Sequence, residues 1–269
     1  MDALRHTLSG KLEYELLIID DCSKDDTVDF LKGLGAGVRT FFNEENRGFA
    51  KNNNFLAREA KGKYLCFLNN DVFVEGDWLS PMIKAMEVDK NIGIVGNVQK
   101  IAGSKRFDHM GVVFSPNGNP RHFGQGFFYR PYQGKTRSWS AVTAACCLIQ
   151  RSYFLDIGGF DENFVNGCED VDLCLRITND NKSCVVVHDS VVQHVKGASE
   201  GRKKFNDKNF ELLYQKWGES ILTKEAVADQ QLHAFTYFYR GIIKPYSING
   251  WKWMQAVLIL LRIITVKPR

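Results

Sequence analysis

Short apolar runs that stop abruptly at acidic or amide side chains mark the first part of the chain. Leu16-Leu17-Ile18-Ile19 ends at Asp20-Asp21, and Tyr64-Leu65-Cys66-Phe67-Leu68 ends at Asn69-Asn70-Asp71. Runs of this length, apolar without alternation, read as buried strands. Each then delivers short polar groups to its carboxyl end, which is where open α/β sheets bind ligands. A helix is expected after the first run, from Val28 and Leu31. A second, Phe55 to Ala60, is expected after a polar loop from Asn43 through Asn54. Farther on, Gly158-Gly159-Phe160-Asp161-Glu162 predicts a sharp bend. Val171, Cys174 and Leu175 then repeat with a helical period, so Glu169 and Asp170 open a helix with its apolar side inward.

These polar groups have structural explanations as well as chemical ones. Acidic residues favour helix N-termini because of the dipole, and Asp172 with Arg176 has the spacing of an i,i+4 ion pair. A carboxylate at the mouth of a core helix is equally the kind of group that serves as a general base. Asn69-Asn70-Asp71 fits a plain turn, or a carboxylate that holds a hard divalent cation and through it a diphosphate. Ser23 and Asp26 match a Ser-x-x-Asp capping box, whereas Asp20 and Asp21 have no such duty at the strand tip.

Taken in order, the segments resemble the inverting glycosyltransferases of family 2, which have the GT-A fold. Ile19-Asp20-Asp21 with Ser23, Asp25 and Thr27 looks like that family's nucleotide-binding turn. Asn46-Arg47-Gly48-Phe49-Ala50 with Asn54 is similar to its Asn-x-Gly-Phe-Ala loop. Leu68-Asn69-Asn70-Asp71 is similar to its form of the Asp-x-Asp metal motif. Ala141 to Ala145, Gly158 to Glu162 and Glu169 to Arg176 resemble its acceptor and catalytic-base segments. Gln193-His194 with Ser199 resembles its late His-x-x-x-x-Ser element. The likeness runs to about Trp217.

The resemblance implies an α/β fold: a GT-A-type open mixed sheet with flanking helices and a helical C-terminal tail. Residues 1–225 would be one catalytic domain, with 1–98 a Rossmann-like half for the nucleotide sugar and 99–225 the acceptor and catalytic half. Residues 226–269 would be the basic tail. It also implies roles. Asp20, Asp21, Arg47, Asn54, Asn69 and Asn70 would serve the donor. Asp71 and His194 would hold Mn²⁺ or Mg²⁺, and Asp170, with Glu169 beside it, would act as the base. Members of the family open with a strand ending in a Pro-x-Tyr-Asn-like turn. Here Met1 to His6 resembles the helix after that strand, so the expectation is a sheet short of one interior strand and a donor pocket short of one wall. Leu56 stands where the family often has glycine.

Composition then narrows the setting. A chain of 269 residues with 44% hydrophobic and 25% charged residues suits one large domain. Its first residues are polar and mixed, unlike a signal peptide, and no apolar run is long enough for a secure membrane span. An odd set of 7 cysteines without a Cys-x-x-Cys pair argues against a disulfide framework and a zinc knuckle, so a reducing cytoplasm is the expected compartment. The net charge of +4 is unevenly placed, since no acidic residue follows Asp229. Trp251-Lys252-Trp253-Met254 precedes an apolar segment from Ala256 to Ile264, and residues 251–266 suit either the inner surface of an anionic membrane or packing on the domain or a partner. The basic residues are not interleaved along a face as a nucleic-acid groove requires. Between Gln99 and Trp139, aromatic residues crowd among Gly, Pro and Asn, either as an acceptor groove or as plugs that seal loops.

The expected partners are a nucleoside-diphosphate-sugar donor and a glycan or lipid-linked acceptor, in bacterial surface-polysaccharide (O-antigen) synthesis. Two rivals stand beside this. A sugar-phosphate nucleotidyltransferase should carry a Gly-rich, Arg-containing phosphate loop, and none is found. A pseudo-transferase, short of its first strand, would bind or assemble without turnover.

Overall fold

A computed structural model describes residues 1–8, 10, 12–35, 37–195, 205–221 and 225–264. The chain opens with α1 (Asp2–Leu8), β1 (Leu16–Asp20), α2 (Thr27–Lys32), β2 (Val38–Phe42) and α3 (Gly48–Glu59). Next come β3 (Tyr64–Leu68), β4 (Val72–Phe73), α4 (Ser80–Val88) and the long strand β5 (Ile92–Ile101). Four short strands follow: β6 (Phe107–His109), β7 (Val112–Phe114), β8 (Pro120–His122) and β9 (Thr136–Ser138). The core closes with β10 (Cys146–Gln150), α5 (Arg151–Asp156), α6 (Glu169–Asn179) and β11 (Ser183–His194). Helices α7 (Asn206–Ile221), α8 (Glu225–Ile243) and α9 (Gly250–Leu260) complete the described chain.

The main sheet has the order β3-β10-β5-β11-β4, with β6 beside β5 and β9 beside β11. It is mixed: β5 and β11 run parallel, and β10 is antiparallel to both β3 and β5. From Ile92 to Gln99, β5 is buried at every position, as a strand covered by helices on both faces must be. It crosses position 98, so both halves of the expected domain share it. On one face Phe67, Ile94, Val142, Phe154, Phe160, Leu173 and Ile177 pack with α3, α5 and α6. On the other, Trp78, just before α4, and Met82 and Met86 within it pack with Val95, Leu148 and Leu8 of α1. The mixed sheet with flanking helices is the expected class.

β1 and β2 stand apart as a parallel pair. Among the described residues β1 is paired only to β2, and β3 only to β10, so each carries one open edge. The apolar run of β1 is correspondingly only half-buried up to Asp20.

Two local expectations are corrected, and one pair of alternatives is decided. The polar loop ends earlier than read, because α3 starts at Gly48 and not at Phe55. Its asparagines find tertiary partners instead of competing with the helix: Asn52 Oδ1 accepts from Asn43 Nδ2 at 2.7 Å, and Asn54 bonds Phe160. No capping box forms at α2, whose N-cap Asp26 makes no side-chain cap bond; the Ser23 amide donates instead to Asp20 Oδ2 at 3.1 Å. Most of the aromatics between Gln99 and Trp139 are plugs. Phe107, Phe114, Phe123, Phe127 and Trp139 are buried in the main core, while Phe128 and Tyr129 remain exposed.

The tail is helical, as expected. Ala234 of α8 meets Ala256 and Ile259 of α9, and Trp253 stacks on Phe238 and donates its indole N–H to the Phe238 carbonyl. Among the described residues no helix is long and apolar enough to cross a membrane.

Candidate active site

At the tip of β1 the two aspartates have different surroundings. Asp20 is 4% exposed, with Oδ2 bonded to the Ser23 amide and Oδ1 without a hydrogen-bond partner. Asp21 is a clamp. Its Oδ1 accepts from the Arg47 amide at 2.7 Å and Asn43 Nδ2 at 2.9 Å, and its Oδ2 accepts from the Gly48 amide at 2.9 Å. Burial works against its charge, yet the bonds from Arg47, Asn52, Asn43 and Gly48 outweigh it and lower its pKa. The clamp fixes the start of α3, where Gly48 has φ +78°. The Arg47 side chain is exposed beside it.

Asn54 lies elsewhere. From inside α3 it donates to the Phe160 carbonyl at 2.8 Å and Glu162 Oε1 at 3.0 Å, and it accepts from the Phe160 amide at 2.8 Å. It therefore pins the Gly158-Gly159 bend to the helix. At Gly159, with φ +67°, a Cβ would lie 2.5 Å from Asn54 Oδ1, so glycine is required there.

The tip of β3 meets the end of β11. Val72 is in register with His194, and the Val195 amide donates to the Asp71 carbonyl at 2.9 Å. This brings Asp71 Oδ1 to 3.2 Å from His194 Nε2. Asp71 is half-buried and His194 is 6% exposed. Asp71 Oδ1 and His194 Nδ1 are both buried without a hydrogen bond. Among the described residues no group of three His, Cys, Asp or Glu side chains could hold a metal. A carboxylate oxygen and an imidazole nitrogen aimed at one point nonetheless fit a divalent cation whose other ligands are phosphate and water oxygens. Asn69 shapes the turn, its carbonyl accepting from the Val72 amide, and Asn70 is exposed. Ser199 lies outside the described residues.

Asp170 sits in the first turn of α6, behind an N-cap, Cys168, with φ +71°. Its Oδ2 accepts from the Ala144 amide at 3.1 Å and its Oδ1 from the Val171 amide at 2.8 Å. Main-chain donors thus hold a half-buried carboxylate in one orientation. The neighbouring Ala145 carbonyl accepts from the Asn69 amide at 2.9 Å, so segment 144–145 ties the Asp170 carboxylate to the turn that carries Asp71. Glu169, 8% exposed, bends back to the Gly167 amide at 2.6 Å.

Asp172 is structural, as its spacing suggested, but with more partners than Arg176. It is fully buried and receives Arg176 Nε at 2.9 Å, Lys216 Nζ at 2.6 Å and Trp217 Nε1 at 2.9 Å. Burial opposes the Lys216 charge, and the carboxylates of Asp161 and Asp172 raise its pKa in spite of that. Sequence reading missed Lys216 and Trp217. The stripe Phe210, Leu213, Trp217 at i, i+3, i+7 marks the inner side of α7 and would have found the indole; nothing marks the lysine.

The profile described as Glycosyl transferase family 2 matches residues 2–158. The O-antigen biosynthesis protein RfbC of Myxococcus xanthus is 30% identical over 60% of this chain, which spans 13% of that protein. GalNAc-T7, solved with UDP, GalNAc and Mn²⁺, superposes with a TM-score of 0.61 at 17% identity, over 89% of this chain and 47% of its own. The mannosyltransferase PcManGT of Pyrobaculum calidifontis, solved with GDP-Man and Mn²⁺, gives 0.58 at 16% identity, over 97% and 69%. The chain spans about a third or less of the first curated relatives it matches. The two solved structures show that the fold is that of the GT-A glycosyltransferases.

Proposed function

The chain belongs to glycosyl transferase family 2, and we propose that it moves a sugar from a nucleoside-diphosphate donor to a hydroxyl of a glycan or lipid-linked acceptor, with inversion, in the synthesis of a bacterial surface polysaccharide. The observation that carries this is the convergence of Asp71 and His194 beside a base, Asp170, oriented by main-chain amides.

Asp170 takes the proton of the acceptor hydroxyl as its oxygen attacks the anomeric carbon from the face opposite the leaving diphosphate. One displacement inverts the configuration. Glu169 holds the Gly167 turn in front of the base. Asp20 and Asp21 serve the nucleotide, Asp20 through its unbonded oxygen and Asp21 by fixing the Arg47–Gly48 turn. Arg47 lies free to reach phosphates or base. Asn54 acts at one remove, by holding the bend after Gly158, while Asn69 and Asn70 present Asp71. Asp71 and His194 would hold Mn²⁺ or Mg²⁺, which when bound offsets the charge growing on the diphosphate.

The enzyme works in the cytoplasm, in keeping with seven free cysteines, and meets the inner membrane surface through residues 251–266. The exposed Trp251 and Met254 of α9 and Leu261 just past its end lie beside Lys252 and Arg262, while residues 265 and 266 lie outside the described residues.

Calorimetric titration of UDP and GDP, with and without Mn²⁺, tests the site. Asp71→Ala should abolish the metal-dependent part of binding and His194→Ala should weaken it less, because the carboxylate contributes charge and the imidazole a lone pair. Metal-dependent binding equal to the parent's in both variants would remove the metal site and the proposal with it.

A further inference from the structure

We infer that the face of α8 turned toward the β7–β8 hairpin, carrying His233 and Arg240 opposite Arg121, receives a phosphate ester borne by the acceptor. This deepens the transferase proposal and rests on it for the word acceptor; the anion site itself does not.

The hairpin and helix are locked together at two points. Asp229 Oδ2 accepts from the Phe114 amide at 2.8 Å and from Ser140 Oγ at 2.5 Å, and Thr236 Oγ1 accepts from the Gly124 amide at 3.4 Å. Asp229, His233, Thr236 and Arg240 fall at i, i+4, i+7 and i+11, so they share one face of α8. The contacts of the first and third show that this face looks at the hairpin. Arg121 stands at the middle of that hairpin, in register with Val113.

Three basic side chains thus share this junction with the Asp229 carboxylate, which is already engaged by the Phe114 amide and the Ser140 hydroxyl. Among the described residues neither arginine has a carboxylate within ion-pairing distance, and Arg121 makes no hydrogen bond. Arg240 donates to a neutral acceptor, Gln125 Oε1, at 3.3 Å. The groups feel one another: burial and then the charges of Arg121 and Arg240 bring the His233 pKa down to about 4, and burial and then Arg240 lower that of Arg121. Arg121 is exposed and His233 and Arg240 are half-buried, so an anion can reach all three, and it would relieve their mutual repulsion. Two guanidinium forks and an imidazole match the several oxygens of a phosphate.

The place fits the acceptor. Val112 of the hairpin donates to the Ala141 carbonyl at 2.9 Å, at the start of the segment whose Ala144 amide orients Asp170. An acceptor with its hydroxyl at Asp170 can therefore rest a phosphate on Arg121 and Arg240. Past the end of α8, the exposed Tyr246 and Trp251 offer an apolar chain on that phosphate a surface to follow.

The test needs neither donor nor turnover. The whole chain, kept metal-free with EDTA, is titrated with inorganic phosphate, n-butyl phosphate and acetate while the arginine Nε–H signals are followed by NMR. Arg121→Gln and Arg240→Gln assign the signals, and thermal melts check that the variants fold. In the parent, the Arg121 and Arg240 signals should move together and saturate. Butyl phosphate should bind at least as well as inorganic phosphate, and acetate about tenfold more weakly. Each Arg→Gln change should cost about tenfold, as loss of one hydrogen bond to a charged group does, and Arg121→Lys should recover part of it. No saturation in the parent, a preference for acetate, exclusion of the butyl ester, or undiminished binding in the double variant would each overturn the inference. A failure of the transferase proposal leaves this result standing, and the reverse holds too.

Discussion

Asp21 and Asp172 each gather at least three hydrogen-bond donors, but the regions around them are built by different means. Asp21 is half-buried at the tip of a two-stranded sheet with an open edge, and its partners are amides of a neighbouring loop. Asp172 is fully buried, and its partners are two cations and an indole brought in from α6 and α7. Through Arg176, which also donates to the carbonyls of Ile157 and Gly159, it ties the Gly-Gly bend to the helix that carries Asp170. The Asp21 corner is thus held by local polar contacts that water can replace, and the helix of Asp170 is held by the core. Substitutions should therefore loosen the first region locally and unfold the second as a unit.

The largest expected effect touches neither frame. Asp170→Asn should lower turnover by about 10²–10⁴-fold, the range for loss of a general base, while nucleotide affinity and melting temperature stay near the parent's. Turnover measured beside donor affinity checks this. Unchanged turnover would move the role to Glu169. A collapse in stability would mean that Asp170, like Asp172, belongs to the frame.

Asp172→Ala should come next, at about 3–5 kcal/mol in global stability, because it leaves Arg176 without a carboxylate, Lys216 with Asp161 alone and the Trp217 indole N–H without its acceptor. Asp161→Ala removes the other, more exposed partner of Lys216 and should cost about 0–1 kcal/mol. Urea unfolding of the two variants measures the gap. Equal losses would show that burial does not set the value of this network.

Asp21→Ala should change global stability by about 1 kcal/mol or less, because the freed amides of Arg47 and Gly48 reach water. Hydrogen exchange at those two amides should nevertheless speed up, and donor affinity should fall. If the global loss rivals that of Asp172→Ala, the Asp21 corner is as integral to the core as the Asp172 network, and the contrast between the regions disappears.

What the sequence made legible follows the same division. The strands Leu16–Asp20 and Tyr64–Leu68 and the helix from Glu169 were readable because short apolar runs and helical spacing report burial directly. The site motifs were readable as ordered short segments, and the pairing of Asp71 with His194 came from that order, since 123 positions separate them. What stayed hidden depends on partners distant in sequence. Asn52 and Asn54 read as loop formers because their bonds to Asn43 and Phe160 exist only once α3 is docked. Ser23 and Asp26 spelled a cap, but Asp20 claimed the serine amide first. Lys216 gave no sign of reaching a buried aspartate, because a lysine on an amphipathic helix ordinarily faces water. Aromatics between Gln99 and Trp139 were ambiguous because composition does not say which side of a loop a ring takes.

Mild acid should separate the two regions without any substitution. His188 is fully buried with neither ring nitrogen hydrogen-bonded, and burial, then the charges of Arg137 and Arg130, bring its pKa down to about 4. His109 is also buried and shifted well below its ordinary 6.5, by burial first and then by His122. Both are protonated more readily in the unfolded chain than in the folded one. Their neutral forms therefore give full stability above about pH 6.5, and that stability is lost as pH falls toward 4, at up to about 1.4 kcal/mol per pH unit for each histidine. Asp21 behaves in the opposite range. Its pKa is lowered, so its contribution persists above the ordinary carboxylate value and is lost only in stronger acid. Between pH 6.5 and 4 the region around His109 and His188 should thus weaken while the Asp21 corner keeps its clamp. Urea unfolding at pH 7.5 and 5.0 measures the slope, hydrogen exchange at Arg47 and Gly48 reports on the clamp, and His188→Gln should flatten the slope. A stability curve that is level across this window, or equally steep in the variant, would show that the buried histidines do not set the acid response.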